Sequence, residues 1–432
     1  MILNLLISEA GRIHGWFKFK SFYYIKNRQK SDFNRDSHEK NILIYPSVKS
    51  GHSLTTLLIK INTAFPVRSG FKFFIKADAQ LIKEAINAIQ EVYADTNHSV
   101  ELLNIEPLGP ENKIKLKEYS LILCHKTLPL IRLIRFFGKT EIIDSRFYSF
   151  IEGISFQKSF FKLLSKEKKK CFARLSKANF IRLLKRMHGK TSATCLLTGP
   201  SINSYQDLNI PQNSIKIICN SLVKNNGLLA HIDGPDIITF ADPVFHFGAS
   251  EYAITFRECM FSQVRKYNSF VIVPDFTVPL LLAWFPQLKK NIIGLETLPD
   301  SFNLPNIENL WVKASDNILT MMMLPVAAAL SGIILIAGAD GRENKGNHFW
   351  KFEAKSQFTD QMHTLFTMHP SFFRDRRYQQ YYKDHCRNLE ELLNWIEAKG
   401  KKTNSITPSL IPALIKRYKK AYKLLFVNNL SI

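Results

Sequence analysis

Short apolar runs recur along this chain, each closed by a turn-forming group, and longer stretches between them repeat apolar residues at helical spacing. A run that is apolar at every position needs cover on both faces, and intervening helices supply it. The alternation therefore demands parallel sheets between helical layers, the α/β class. The first series reads Ile42–Tyr45 as a strand, Ser53–Ile61 as a helix, Phe71–Ile75 as a strand and Ala79–Tyr93 as a helix. Val100–Ile105 and Leu121–Cys124 follow as strands, Leu128–Phe137 as a helix and Glu141–Ile143 as a strand. Residues 41–150 thus read as a small Rossmann-like domain after an N-terminal extension over 1–40. It carries neither a G-x-G-x-x-G fingerprint nor a Walker A loop, so no ligand is assigned to it.

A second series opens at Ala193 with strands Leu196–Thr198, Ile215–Cys219, Ile237–Ala241, Ser269–Val273 and Ile333–Ala337. The helix Leu389–Ala398 and the strand Thr403–Ile406 close it, giving a second domain over 191–415. Ile318–Ala339 carries no charge over 22 residues, enough to span a bilayer. Pro325 and Ser331-Gly332 interrupt it, so it reads as a buried helix at 317–330, a tight turn and a buried strand at 333–338.

The 432 residues carry a formal charge of +23, which calls for an anionic partner: a membrane surface, a phosphorylated substrate or nucleic acid. No RNA-recognition or zinc-finger signature supports a specific nucleic-acid role. Much of the charge lies in 151–190, where Lys158, Lys162, Lys166, Lys168, Lys169 and Lys170 begin a basic series interleaved with phenylalanine and leucine. This stretch reads as a basic amphipathic helical linker that either lies on an anionic leaflet or packs its apolar face on the protein and leaves its lysines in solvent. The basic tail 416–432 repeats the theme. Six scattered cysteines without a CxxC pair suit buried thiols in a reducing cytoplasm.

Turn-forming groups close the strands of the second domain in a definite order. They are Gly199-Pro200-Ser201, Cys219-Asn220, Ala241-Asp242-Pro243, Gly338-Ala339-Asp340 after a small-residue helix, then His385, then Thr407-Pro408-Ser409. In this order the domain resembles the bacterial sialyltransferases of glycosyltransferase family 42, over about residues 193–412. The opening turn is also shared with proteins resembling the archaeal pterin diphosphokinases. With the first series this makes two Rossmann-like domains, and the first resemblance implies that the C-terminal one is a sialyltransferase-like (GT-A-like) parallel sheet flanked by helices. It implies an inverting, metal-independent transfer of a sialic-acid-like nonulosonic sugar from a CMP-activated donor. The acceptor would be a lipid-linked surface glycan or lipooligosaccharide, and the enzyme a peripheral one on the cytoplasmic face of the inner membrane.

What the resemblance implies for individual residues follows from that chemistry. His385 falls where the family's catalytic histidine lies, at the start of the Leu389–Ala398 helix, whose N-terminus would keep it neutral as a base requires. His369 is a competing base. Arg342 and His348 fall where the family places two tyrosines on the leaving phosphate, and arginine is a stronger phosphate partner than tyrosine. Asn220 would meet the base or ribose, offering both a donor and an acceptor. Asp242 stands where the family has a second asparagine and suits a ribose diol. Gly199, Pro200, Ser201, Asp340 and Ser409 complete the nucleotide-binding edge. No D-x-D pair or HExxH is present, so no metal or other cofactor is expected. The alternatives are an ATP-dependent pyrophosphokinase-like enzyme, or a non-catalytic basic protein binding anionic lipid or nucleic acid.

Overall fold

The structure, a computed structural model, describes residues 40–65, 71–93, 104–109, 114–126, 139–146, 149–342, 354–375 and 377–418. The first series comprises β1 (Lys40–Tyr45), α1 (Gly51–Ala64), β2 (Phe71–Ile75), α2 (Ala79–Tyr93), β3 (Ile105–Pro107), β4 (Leu121–Cys124) and β5 (Thr140–Ile142). Its strands pair in parallel in the order β3-β2-β1-β4-β5. The expected helix at 128–137 and all but the end of the expected strand at 100–105 lie outside the described residues, as do 1–39 and 419–432.

Two helices follow, α3 (Ser149–Leu163) and α4 (Lys166–Met187). The second series then runs β6 (Ser192–Leu196), β7 (Ser214–Cys219), α5 (Asn226–His231), β8 (Ile237–Thr239), α6 (Glu251–Tyr267), β9 (Phe270–Pro274) and α7 (Val278–Trp284). It continues with β10 (Ile292–Leu298), β11 (Trp311–Lys313), α8 (Leu324–Leu330), β12 (Ile333–Ala337) and α9 (Met362–Met368). It ends with α10 (Ser371–Asp375), α11 (Tyr378–Ala398), β13 (Lys402–Ser405) and α12 (Pro412–Ile415). These strands form an eight-stranded sheet, all parallel, in the order β11-β10-β9-β8-β7-β6-β12-β13. The chain is therefore α/β with two parallel sheets flanked by helices, compatible with Rossmann-like folds.

Burial on both faces explains the apolar runs. In β7, Ile215, Ile217 and Cys219 enter the core beneath α4, α8 and α11, while Ile218 enters the core on the opposite face. That second core is continuous with the small sheet, taking in Ile42, Ile44, Phe73, Leu121 and Leu123. The uncharged stretch resolves as expected into a π-helical turn at Leu319–Met323, α8, the Ser331-Gly332 turn and β12. Among the described residues no helix is long and apolar enough to cross a membrane.

Residues 151–190, expected as a basic linker, do form helices, and both pack into the body. On α4, Phe180, Leu183 and Met187 recur at helical spacing and enter the core of the larger sheet. Asn179 donates to the Lys289 carbonyl at 3.0 Å, and Ser176 Oγ accepts from Gly294 N–H on β10 at 3.0 Å. Its other face leaves Lys166, Lys168, Lys170, Arg174, Arg182, Lys185 and Arg186 exposed.

Helix α3 lies between the sheets. Phe160 meets Phe65 and Phe71 edge-to-face at 6.4 and 6.1 Å on the small-sheet side, and Lys162 pairs with Glu141 of β5. On the other side Gly153 packs against Pro243, where an added Cβ would sit 2.8 Å from the proline Cβ. A larger side chain there forces the sheets apart. Gly153→Val is expected to lower unfolding free energy by about 1–3 kcal/mol in urea denaturation, the range for overpacking a close contact. An unchanged midpoint would show that the two halves do not depend on this approach.

Candidate functional site

Strand order reverses beside β6, which has β7 on one side and β12 on the other. The crevice beyond the carboxyl ends of strands at such a reversal is where open α/β sheets bind ligands. The turns singled out in the sequence lie there: 199–201 follows β6, 219–220 ends β7, 241–243 follows β8, 338–340 follows β12 and 407–409 follows β13. These strands are adjacent in the order β8-β7-β6-β12-β13, so the sheet brings all five turns to one edge.

The turns after β6 and β12 are tied together. Ser201 N–H donates to Asp340 Oδ2 at 2.8 Å, and Ser201 Oγ donates to Oδ1 of the same carboxylate. Gly199 N–H donates to the Gly338 carbonyl at 2.9 Å. A Cβ on Gly199 would lie 2.4 Å from Asp340 Oδ2 and 2.5 Å from the Gly338 oxygen, so this approach requires glycine. Pro200 opens a 3-10 turn, Pro200–Asp207, directly after it. The Ser201 amide, which a phosphate would otherwise meet, is thus engaged by an internal carboxylate. Ser409 has a similar tying role: its Oγ donates to the Ala339 carbonyl at 2.6 Å and accepts from Ile411 N–H at 3.1 Å. Thr407 Oγ1 accepts from Gly338 N–H at 2.9 Å.

Asn220 differs from these. Its φ of 51° places it in the left-handed region, which asparagine enters more readily than most residues other than glycine and which Asp233 and Asn268 also occupy. Its side-chain Oδ1 is buried and accepts no hydrogen bond. The next residues are strapped down, with Ser221 Oγ donating to the Ser356 carbonyl at 2.7 Å and Asn225 Nδ2 donating to Ser356 Oγ at 3.0 Å.

Asp242 organises its own turn. Its Oδ1 accepts from Val244 N–H at 2.8 Å and Phe245 N–H at 2.9 Å, and its amide donates to His246 Nδ1 at 3.0 Å. Arg257, buried on α6, donates to the His246 and Gly248 carbonyls at 3.1 and 2.9 Å and stacks on Trp284. Burial, with the Arg257 charge beside it, pushes the His246 imidazole down to about 3. His246 and Arg257 escaped the sequence reading because their partners are backbone atoms of a turn with no distinctive pattern.

Arg342 follows Gly341 and reaches α11, not open solvent. It is 9% exposed, donates to the Tyr378 carbonyl at 2.8 Å and lies 4.9 Å over the Tyr382 ring. Its backbone N–H donates to the Tyr382 hydroxyl at 3.2 Å. His348 lies outside the described residues.

His385 requires a correction. The helix begins at Tyr378 and not near Leu389, so His385 sits two turns inside it and the N-terminal dipole does not act on it. Burial instead pushes its imidazole down to about 4. It is neutral at pH 7, but a group with so low a pKa is a weak proton acceptor. Tyr382 and His385 follow Tyr378 at helical spacing on α11, so the two tyrosines that Arg342 meets lie within two turns of His385.

No family model matches this chain, and neither a curated protein nor a solved structure matches it.

The site has a direction of pH dependence. The folded-state pKa values of His385 and His246 lie below the ordinary 6.5, so the unfolded chain binds more protons as pH falls beneath that value. Stability is expected to fall from pH 6.5 toward 4, and His385→Gln should flatten the dependence measured by urea denaturation at pH 7.5 and 5.0. An identical slope in that variant would place the titration elsewhere.

Proposed function

We propose that the chain is a sialyltransferase-like glycosyltransferase, with the larger sheet as its GT-A-like nucleotide-sugar domain. It would transfer a nonulosonic sugar from a CMP-activated donor to a lipid-linked surface glycan, with inversion and without a metal. Asn220 carries the reading. A side-chain amide oxygen is buried without a partner at a strand end beside the switch crevice. A cytidine base or ribose edge offers the missing partner, since an asparagine both donates and accepts. The order of the five turns supports the same assignment.

The carboxylate already resting on the Ser201 amide gives this crevice less capacity for phosphate charge than a P-loop has. A monophosphate leaving group suits such an edge better than a triphosphate. Arg342, stacked on Tyr382, lies on the side of the crevice where β12 ends and would approach the phosphate after modest side-chain movement. The exposed basic face of α4 would hold the enzyme peripherally on an anionic leaflet, where lipid-linked acceptors lie.

CMP, and not UDP or GDP, is expected to raise the melting temperature without added metal. Stabilisation by ATP with Mg²⁺ alone would favour the pyrophosphokinase-like reading. Salt-sensitive oligonucleotide or vesicle binding with no nucleotide response would favour the basic binding protein. Asn220→Gly keeps the left-handed backbone free of strain while removing the amide. It is expected to weaken CMP binding about tenfold by calorimetry, the worth of one or two hydrogen bonds, with little change in stability. Unchanged affinity would remove Asn220 from the site.

A further inference from the structure

The small sheet has a switch point of its own. Its order β3-β2-β1-β4-β5 reverses beside β1, and the place beyond the carboxyl ends of β1 and β4 is where such a sheet takes a ligand. Four strands are followed there by a cation within four residues: Lys49 after β1, Lys76 after β2, Lys126 after β4 and Arg146 after β5. Contacts draw these turns together. Val48 N–H donates to the Lys76 carbonyl at 3.2 Å, and His125 Nε2 donates to the Pro46 carbonyl at 2.6 Å. Burial holds the His125 imidazole below its ordinary value. Lys126 and Arg146 push the same way, against the Pro46 carbonyl and Asp144, so all four surround one ring. Arg374 of α10 closes the group by donating to the Arg146 carbonyl at 2.5 Å.

The two acids in these turns, among the described residues, are engaged locally. Asp144 is buried and holds the Arg146 guanidinium at 2.8 Å, and Asp78 accepts from the Gln80 and Leu81 amides at 2.8 and 3.3 Å at the start of α2. Lys49 and Lys126 stay exposed. The edge is therefore positive, with cations arriving from four turns. The cations also lead toward the larger crevice. At most about 14 Å of chain separates Arg374 from Tyr378, whose carbonyl takes the Arg342 guanidinium beside the end of β12.

We infer that the carboxyl edge of the small sheet binds a phosphate group, and that this phosphate belongs to the acceptor; the second part rests on the glycosyl-transfer reading above. A phosphate suits the edge better than a carboxylate, because it brings up to two charges and three oxygens to cations that approach from several sides. The phosphate anchors the acceptor on the small sheet, and the acceptor hydroxyl reaches the donor at the larger one. Residues 41–150 then bind substrate without supplying a reacting group.

Calorimetry on the full chain at low salt tests this. Inorganic pyrophosphate should bind at one site, with an affinity that saturating CMP leaves within twofold. Lys49→Glu combined with Lys126→Glu should weaken it about tenfold or more, the loss expected when two charge-assisted contacts become repulsive. Lys166→Glu combined with Lys185→Glu on α4, an equal change of charge, should leave it within twofold. No pyrophosphate binding would overturn the inference. So would displacement of pyrophosphate by CMP, which puts the anion in the larger crevice, or equal losses in the two double variants, which make it a response to net charge. Geranyl diphosphate separates the sources: it should bind at least as tightly as pyrophosphate and lose affinity in the same variant. Pyrophosphate binding without it would overturn the acceptor assignment in favour of a free phosphate. A chain that binds no CMP, yet loses pyrophosphate affinity in Lys49→Glu with Lys126→Glu alone, would refute the glycosyl-transfer reading and uphold the phosphate site.

Discussion

One carboxylate ties together the strand ends at the switch crevice of the larger sheet. Asp340 follows β12 and grips the Ser201 amide and hydroxyl that follow β6, so the strand ends on one side of the crevice are locked to each other. Gly199 and Gly338 make that grip possible, because a side chain at either would strike the neighbouring backbone. Thr407 and Ser409 extend the ties to the end of β13. The edge so formed is tied by hydrogen bonds around β6, β12 and β13, while the neighbouring end of β7 keeps Asn220 with an unmet amide oxygen. Satisfied turns supply the frame, and the unsatisfied amide oxygen is the group on which the proposed ligand contact rests.

A second constraint joins the sheets. The Lys60–Glu152 pair is buried, and removing one partner of such a pair strands a charge at a cost of about 3–5 kcal/mol. It brings α1 of the small sheet and the interposed α3 against His369 and the turn after β8. The small-sheet half thereby contributes Lys60 and Thr63 of α1 to a cavity of about 20 Å³ beside the turn after β8.

Much of the fold was legible because buried strands leave apolar runs: Leu121–Cys124 and Ile333–Ala337 lie where they were expected, as does Phe71–Ile75, whose run only Lys72 interrupts. β10 escaped because Gly294, Glu296 and Thr297 interrupt its apolar character, and β11 because an edge strand of three residues leaves almost no pattern. The helical recurrence of Phe180 and Leu183 was legible in α4, but the sequence left open whether that face met a leaflet or the protein, and the structure seats it with Met187 on the larger sheet. The start of α11 was misplaced because residues 378–388 are mostly polar and present only Tyr382 and His385 to the core. The turns of the candidate site could be found in the sequence, since strand ends carry local signals. Their ties to one another could not, because Ser201 and Asp340 lie 139 positions apart. The same holds for Lys60, Glu152 and His369, each an ordinary polar residue until the fold assembles them.

The central claim is that the carboxyl edge of the larger sheet holds a cytidine monophosphate. Hydrogen–deuterium exchange with and without CMP tests it most directly. Protection is expected in peptides covering 199–203, 219–225 and 338–342, with the small-sheet strands unchanged. Protection confined to residues 41–146, or none at saturating CMP, would contradict the assignment.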